Sequence, residues 1–251
     1  MASGELSHLV FRWLHVLAGV MWIGQLWSLT LVVRVMPGEL VDPSLEPVAL
    51  RAYNWLRWAG TATWITGIPL LGIVYYSGGA VTYDQSSGLA TAVGLGSLFA
   101  AWILYDMVWT LLVRHEAAAA LLSIMLLSAA AAMLNRVMTG RSVFIHLGAM
   151  LATIMLANLW RRIWPVEGGR LSGINRRAPP STDFAAEVAA LRLRHNAALS
   201  VAVPLFMVSN HFPLVYGHSF GWLVAPGIVV LGWLLFRLFH RRGMAPAARP
   251  A

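Results

Sequence analysis

The sequence predicts an all-α fold: a polytopic membrane bundle of seven transmembrane helices, N-terminus outside and C-terminus cytoplasmic. Three observations lead there. Of 251 residues, 59% are hydrophobic and only 11% are charged, against about 25% charge in a typical water-soluble domain. The apolar residues gather into runs of about 20, the length a helix needs to cross a bilayer. All 18 basic residues are arginines, and they fall one-sidedly between alternate loops.

Taken in order, the first run covers about 9–35 and stops near Pro37 and Gly38, a normal helix end. The preceding MASGELSH has no basic region, and no small-residue cleavage site follows. The run therefore reads as a retained helix rather than a signal peptide. The connector VDPSLEPVALRAYN, with room for a short interfacial helix, leads to a second run at about 54–77. Its tryptophans and Tyr75–Tyr76 suit membrane interfaces. Gly78, Gly79 and Asp84 mark the loop before a third run at about 88–113, which carries Asp106 in apolar sequence. Arg114, His115 and Glu116 separate it from a fourth at about 117–138. The fourth is alanine-rich, with small residues at helical spacing that let membrane helices approach closely. The fifth covers about 142–164. In the arginine-rich loop that follows, 183–194 reads as an amphipathic surface helix. The sixth and seventh cover about 196–217 and 220–240. Residues 1–240 form one seven-helix domain, and 241–251 reads as a basic disordered tail.

Seven spans place Arg12, Arg136 and Arg141 on one side and the other 15 arginines opposite. The positive-inside rule then sets the orientation, in a bacterial inner membrane. The net charge of +8 serves topology rather than nucleic-acid binding. No cysteine is present, which excludes disulfides, cysteine-ligated clusters and covalent c-type haem. P-loop, dinucleotide-binding, HExxH and GxSxG patterns are also absent.

This topology turns sequence positions into depths. His15, His146 and His211 fall near the outer ends of spans one, five and six. Neutral imidazole is the usual ligand of haem iron, and two histidines on facing helices can hold a haem in a bundle. The outer three are thus candidate axial ligands of haem b, with interhelical hydrogen bonding as the alternative. Gly19 and Trp22 share a face with His15, where a small residue admits a flat macrocycle and an aromatic packs its edge. Arg141 is a candidate propionate partner. His195 falls on the inner side, about 24 Å from His211 along a helix. It marks either a second haem or an interfacial residue, and Pro204 between them decides their relative phase. Asp106 and Arg57, both toward the inner side, are expected to pair. Asn158 and Asn196 join them in a polar inner cluster, either helix glue or the lining of a quinone or proton site.

The segments RWLHVLAGVMWIG, RAYNWLRWAGTATWITGIPLLGIVYY, FIHLGAMLATIMLANLW and RHNAALSVAVPLFMVSNHFPLVYGH resemble the membrane domain of the bacterial membrane-bound urate oxidase (urate hydroxylase) family. The likeness covers nearly all seven spans in order, and the RHN…SNH-x-P segment is its most specific part. It implies a membrane redox protein and points to His15, Trp22, Gly24, Arg57, Asp106, His146, Asn158, His195, Asn196, Asn210 and His211. Fused members of that family carry a C-terminal cytochrome c domain. This sequence has no CxxCH, so the resemblance implies a separate cytochrome c or a larger membrane complex.

Three functions are expected on these grounds. The first is a b-type haem subunit passing electrons between a quinone or dehydrogenase and a periplasmic acceptor such as cytochrome c. The second is a cytochrome-linked urate (purine) oxidase membrane domain, and the third a non-catalytic subunit of a larger membrane complex.

Overall fold

The structure, a computed structural model, describes residues 2–33, 44–77, 87–172, 184–218 and 220–243. Pro37, Gly38, the loop with Gly78, Gly79 and Asp84, the arginines 176 and 177, and the tail beyond 243 lie outside the described residues. Among the described residues every regular element is helical. These are α1 (Ala2–Trp27), α2 (Glu46–Leu71), α3 (Ser87–Leu111), α4 (Glu116–Leu134), α5 (Gly140–Asn158), α6 (Trp164–Leu171), α7 (Phe184–Ser209), α8 (Pro213–Tyr216) and α9 (Gly221–Gly243). Wider π-helical turns extend α1 over Ser28–Val33 and α2 over Gly72–Tyr76, and join α5 to α6 over Leu159–Ile163.

Five helical stretches are long and apolar enough to cross a membrane: Gly4–Leu31, Gly88–Leu111, Glu116–Leu134, Gly140–Leu171 and Gly221–His240. Large apolar side chains stand exposed along them, among them Trp13, Val20, Phe99, Ile103 and Leu121. Water does not tolerate such continuous apolar surface, so this surface implies a lipid bilayer. α2 and α7 have 26 residues each. Arg51, Asn54 and Arg57 in α2, and Glu187, Arg192 and Arg194 in α7, make these two more polar.

α5 is the central helix. Its residues from Ser142 to Gly148 are all buried, and it is flanked by α2, α3, α4 and α7. Thr139 caps its start, the hydroxyl accepting from the Ser142 N–H at 3.4 Å. Contacts at helix ends give the chain direction. Asp106 near the end of α3 meets Arg162 after α5 and Arg192 early in α7. Trp27 at the end of α1 meets Phe239 late in α9. The long helices therefore alternate in direction through the bundle. One end holds the C-terminal parts of α1, α3, α5 and α9 with the N-terminal parts of α2, α4 and α7.

Two features of the sequence shape the helices locally. Pro165 lacks an N–H and its ring crowds the carbonyl four residues back. The turn just before it, Leu159–Ile163, widens to a π-turn, which accommodates the ring. α7 stops at Ser209 because Phe212, ahead of Pro213, is extended, with φ −124° and ψ 95°. The sixth span expected to 217 is thus shorter, and Pro213–Tyr216 forms a separate turn. The surface helix expected over 183–194 is instead the first part of α7, with Arg192 fully buried.

Tryptophans fasten the bundle. Four indole N–H groups donate to hydroxyls on other helical segments: Trp27 to Ser200 at 2.8 Å, Trp64 to Thr153 at 3.1 Å, Trp109 to Ser123 at 2.9 Å and Trp160 to Thr61 at 2.9 Å. Glycines supply close approach between helices. A Cβ on Gly60 would lie 2.8 Å from the Trp22 indole, whereas one on Gly24 would meet nothing within 4 Å. Gly60→Ala is therefore expected to lower the melting temperature of the purified protein, through overpacking against a rigid ring that costs about 1–3 kcal/mol. Gly24→Ala is expected to leave it unchanged or raise it, by up to about 1 kcal/mol of helix propensity.

Candidate functional site

A buried polar network joins α3, α5 and α7 at the arginine-rich end. Asn196 and Asn158 are buried and fixed first. Asn196 Nδ2 donates to the Met155 carbonyl at 2.8 Å, and Asn158 Nδ2 donates to Asn196 Oδ1 at 3.0 Å. Asn158 also donates to the Tyr105 hydroxyl oxygen at 3.3 Å. That leaves the Tyr105 O–H to donate to His195 Nδ1, 2.6 Å away. Trp109 packs on the imidazole with ring centroids 4.1 Å apart. The chain thus runs from backbone to asparagines to phenol to imidazole, and each member sets the orientation of the next.

One residue further along α3, Asp106 receives two guanidinium groups. Arg162 donates from Nε to Oδ1 at 2.9 Å and from Nη2 to Oδ2. Arg192 donates from Nη2 to Oδ1 at 3.1 Å and has no exposed surface. Its guanidinium also lies 4.8 Å from the Tyr105 ring centroid. Arg57, the expected partner of Asp106, is engaged elsewhere. It donates to Asn54 Oδ1 at 2.9 Å and sits 3.7 Å over the Trp164 ring, with Trp160 at 4.9 Å. The cause is geometric: the π-turn after α5 and the reversed direction of α7 bring two arginines to Asp106.

The outer histidines separate. His15 lies between α1 and α2, its Nδ1–H donating to the Thr63 carbonyl at 2.8 Å. Gly67 makes room for it, since a Cβ there would lie 2.8 Å from the ring. Gly19 faces Thr63 and Trp22 packs on Gly60, so that face of α1 is covered by α2. His146 is fully buried. Its Nδ1–H donates to the Ser142 carbonyl at 2.7 Å, and its Nε2 accepts from the Tyr76 hydroxyl at 2.7 Å. Gly94 closes that side, where an added Cβ would lie 3.0 Å from Nε2. His211 is exposed beyond the end of α7. Nearby, Asn210 donates to the Tyr75 hydroxyl at 3.1 Å, and Arg141 lies 5.9 Å from the Tyr75 ring centroid.

A haem b held by these residues needs two imidazoles offering Nε2 to one space. His15 keeps Nε2 available, His146 does not, and His211 is off the helix, so the arrangement as packed does not fit that group. No group of three or more metal-ligating side chains occurs among the described residues.

Two cavities adjoin the inner network and share Trp102 and Trp160 as walls. One, about 370 Å³, is polar and lined by Trp102, Asp106, Trp160, Arg161, Arg162 and Pro165. The other, about 380 Å³, is apolar and runs past Trp64, Phe99 and Leu156.

Tyr105, Arg162, Arg192 and Trp109 were not singled out from sequence. A signal was present: Asn158 and Arg162 are four apart, as are Arg192 and Asn196 in reverse order. Such spacing puts each pair on one helix face, and antiparallel helices then match asparagine to asparagine and arginine to arginine.

Comparison with protein families gives a match to the urate oxidase N-terminal model over residues 39–249. Searches of curated proteins and of solved structures returned no match.

Asp106→Asn is expected to destabilise the purified protein by about 3–5 kcal/mol, because it leaves Arg192 buried beside a neutral group. Asp106→Asn combined with Arg192→Met should recover part of that loss, and Arg57→Gln should cost less than Asp106→Asn. Thermal unfolding followed by size-exclusion chromatography measures all three.

Proposed function

Because the chain belongs to the urate oxidase N-terminal family, we propose that it is the membrane domain of a cytochrome-linked urate oxidase. The family match over residues 39–249 carries this reading. The buried network at the arginine-rich end supports it chemically. Hydroxylating a purine ring with water as the oxygen source releases two electrons and two protons. The electrons leave one at a time to a c-type haem. No CxxCH occurs in these 251 residues, so another domain or chain supplies that haem.

The protons need an acceptor near the substrate. The hydrogen bond from the Tyr105 hydroxyl to His195 Nδ1, at 2.6 Å, provides a two-member path between donor and acceptor atoms. Asn158 and Asn196 hold the phenol in register, and Trp109 holds the imidazole. The cationic surroundings, Arg162 and Arg192 against Asp106 alone, favour an anionic substrate. Urate is a planar anion at neutral pH.

In this reading the helices span the inner membrane seven times, with α2 and α7 as the two more polar spans. Each has 26 residues, about 39 Å at the helical rise. Their charges lie toward the end that carries most of the arginines, which faces the cytoplasm.

Membranes carrying the chain are expected to reduce added cytochrome c in a urate-dependent manner. Tyr105→Phe and His195→Ala should each lower the turnover rate by about 100-fold or more, the scale of a positioned proton-transfer group. Folded protein that supports no urate-dependent reduction with any c-type cytochrome would overturn the proposal.

A further inference from the structure

We infer that the polar crevice lined by Trp102, Asp106, Trp160, Arg161, Arg162 and Pro165 is the binding site for the planar purine anion; the inference rests on the urate oxidase reading above. Its size, about 370 Å³, falls in the range of small-molecule sites. Its walls are of two kinds. Trp160 is held rigidly: its indole donates to Thr61, Trp58 packs edge-on at 5.5 Å, and Arg57 lies 4.9 Å from its ring. An immobile indole face is a stacking platform for a heteroaromatic ring.

Trp102 differs from the tryptophans that fasten the bundle. Its Nε1–H is buried and has no acceptor, while Trp27, Trp64, Trp109 and Trp160 each donate to a hydroxyl. A buried donor without a partner is costly unless a ligand satisfies it. Urate carries three ring carbonyl oxygens, any of which accepts such a bond once the Trp102 ring turns its N–H edge to the crevice that it lines.

The charges agree with an anion. Around the crevice stand the guanidinium groups of Arg161 and Arg162, with Arg192 behind Asp106 as the third, and Asp106 is the one carboxylate in the lining. Arg162 spends Nε and Nη2 on Asp106 and Thr110, which leaves its Nη1. Arg161 is exposed, 5.9 Å from the Trp102 ring. The crevice is also one residue from the proton path, since Tyr105 precedes Asp106 on α3. The second cavity, apolar and behind the same two tryptophans, offers no polar partner for the ring.

The test is urate binding to the purified full chain in nanodiscs of zwitterionic phospholipid, by equilibrium dialysis, alongside cytochrome c reduction. Trp102→Phe removes the indole N–H and keeps an aromatic wall. Arg161→Gln removes one charge and leaves the Asp106 pairs intact. Each should weaken urate binding by about tenfold, the worth of one hydrogen bond to an anion, and raise KM more than it lowers kcat. Both variants should melt with the parent protein. Urate binding and KM unchanged in both variants, with activity intact, would overturn the crevice assignment and leave the oxidase reading standing. Loss of urate binding on adding anionic phospholipid, with affinity otherwise indifferent to Trp102→Phe, would assign the arginines to lipid headgroups and overturn it too. A parent protein that neither binds nor oxidises urate would remove the oxidase reading itself.

Discussion

Asp106 sets the arginine-rich end of the bundle. A carboxylate in a membrane helix is stable only when its charge is met, and here two guanidinium groups meet it from two other segments. Arg192 makes the constraint strict. It has no exposed surface, and its Nε and Nη1 find no other acceptor. Removing Asp106 would therefore strand a buried cation, and the three segments would have to reorganise. With Asp106 held, the rotation of α3 about its axis is held too. That rotation carries the Tyr105 hydroxyl to His195 Nδ1 and Trp109 against the same imidazole.

The rest of the packing serves the same end by simpler means. Indole-to-hydroxyl bonds fix α1 to α7, α2 to α5 and α3 to α4. Glycines at Gly60, Gly67, Gly94 and Gly148 let rings and side chains of neighbouring helices come within the space of a methyl group. In lipid, where apolar burial gives no preference for helix over solvent, such contacts and hydrogen bonds supply the specificity. A rigid frame of this type can leave buried donors without a partner, among them the Trp102 indole.

Helix locations were legible in the sequence because bilayer length and apolar composition dictate them. Helix rotation was not. The membrane-facing and interior sides of these helices are both apolar, so periodicity carries little information. Depth alone therefore pairs Asp106 with Arg57, although Arg162 and Arg192 lie at the same depth and on the right faces. The arginines in 183–194 looked like a solvated surface, yet Arg192 is drawn into the bundle by Asp106. Tryptophans that suit a membrane interface by type instead make interhelical bonds, which no composition rule distinguishes. Of the polar inner cluster expected from Asp106, Arg57, Asn158 and Asn196, the two asparagines bond to each other, whereas Arg57 bonds to Asn54. His195, expected as a second haem ligand or an interfacial residue, is bonded to Tyr105. Depth alone groups the outer histidines. Depth is one coordinate of three, and the other two place His15 at the α1–α2 seam and His146 inside the bundle.

The two ends of the molecule repeat one chemical unit in different surroundings. A tyrosine hydroxyl meets a histidine nitrogen at 2.7 Å in Tyr76–His146 and at 2.6 Å in Tyr105–His195. In the first, the imidazole bonds at both nitrogens and Gly94 closes over it. Both atoms are consumed by structure, and the pair works as a clasp between the end of α2 and α5. In the second, Nδ1 is bonded to the phenol, and the next residue along α3 opens on the polar crevice. Proton movement requires a path with a free end, and substrate binding requires space. Among the described residues the inner pair has both beside it, which is why the proposed urate chemistry is placed at that end rather than at the more conspicuous outer histidines.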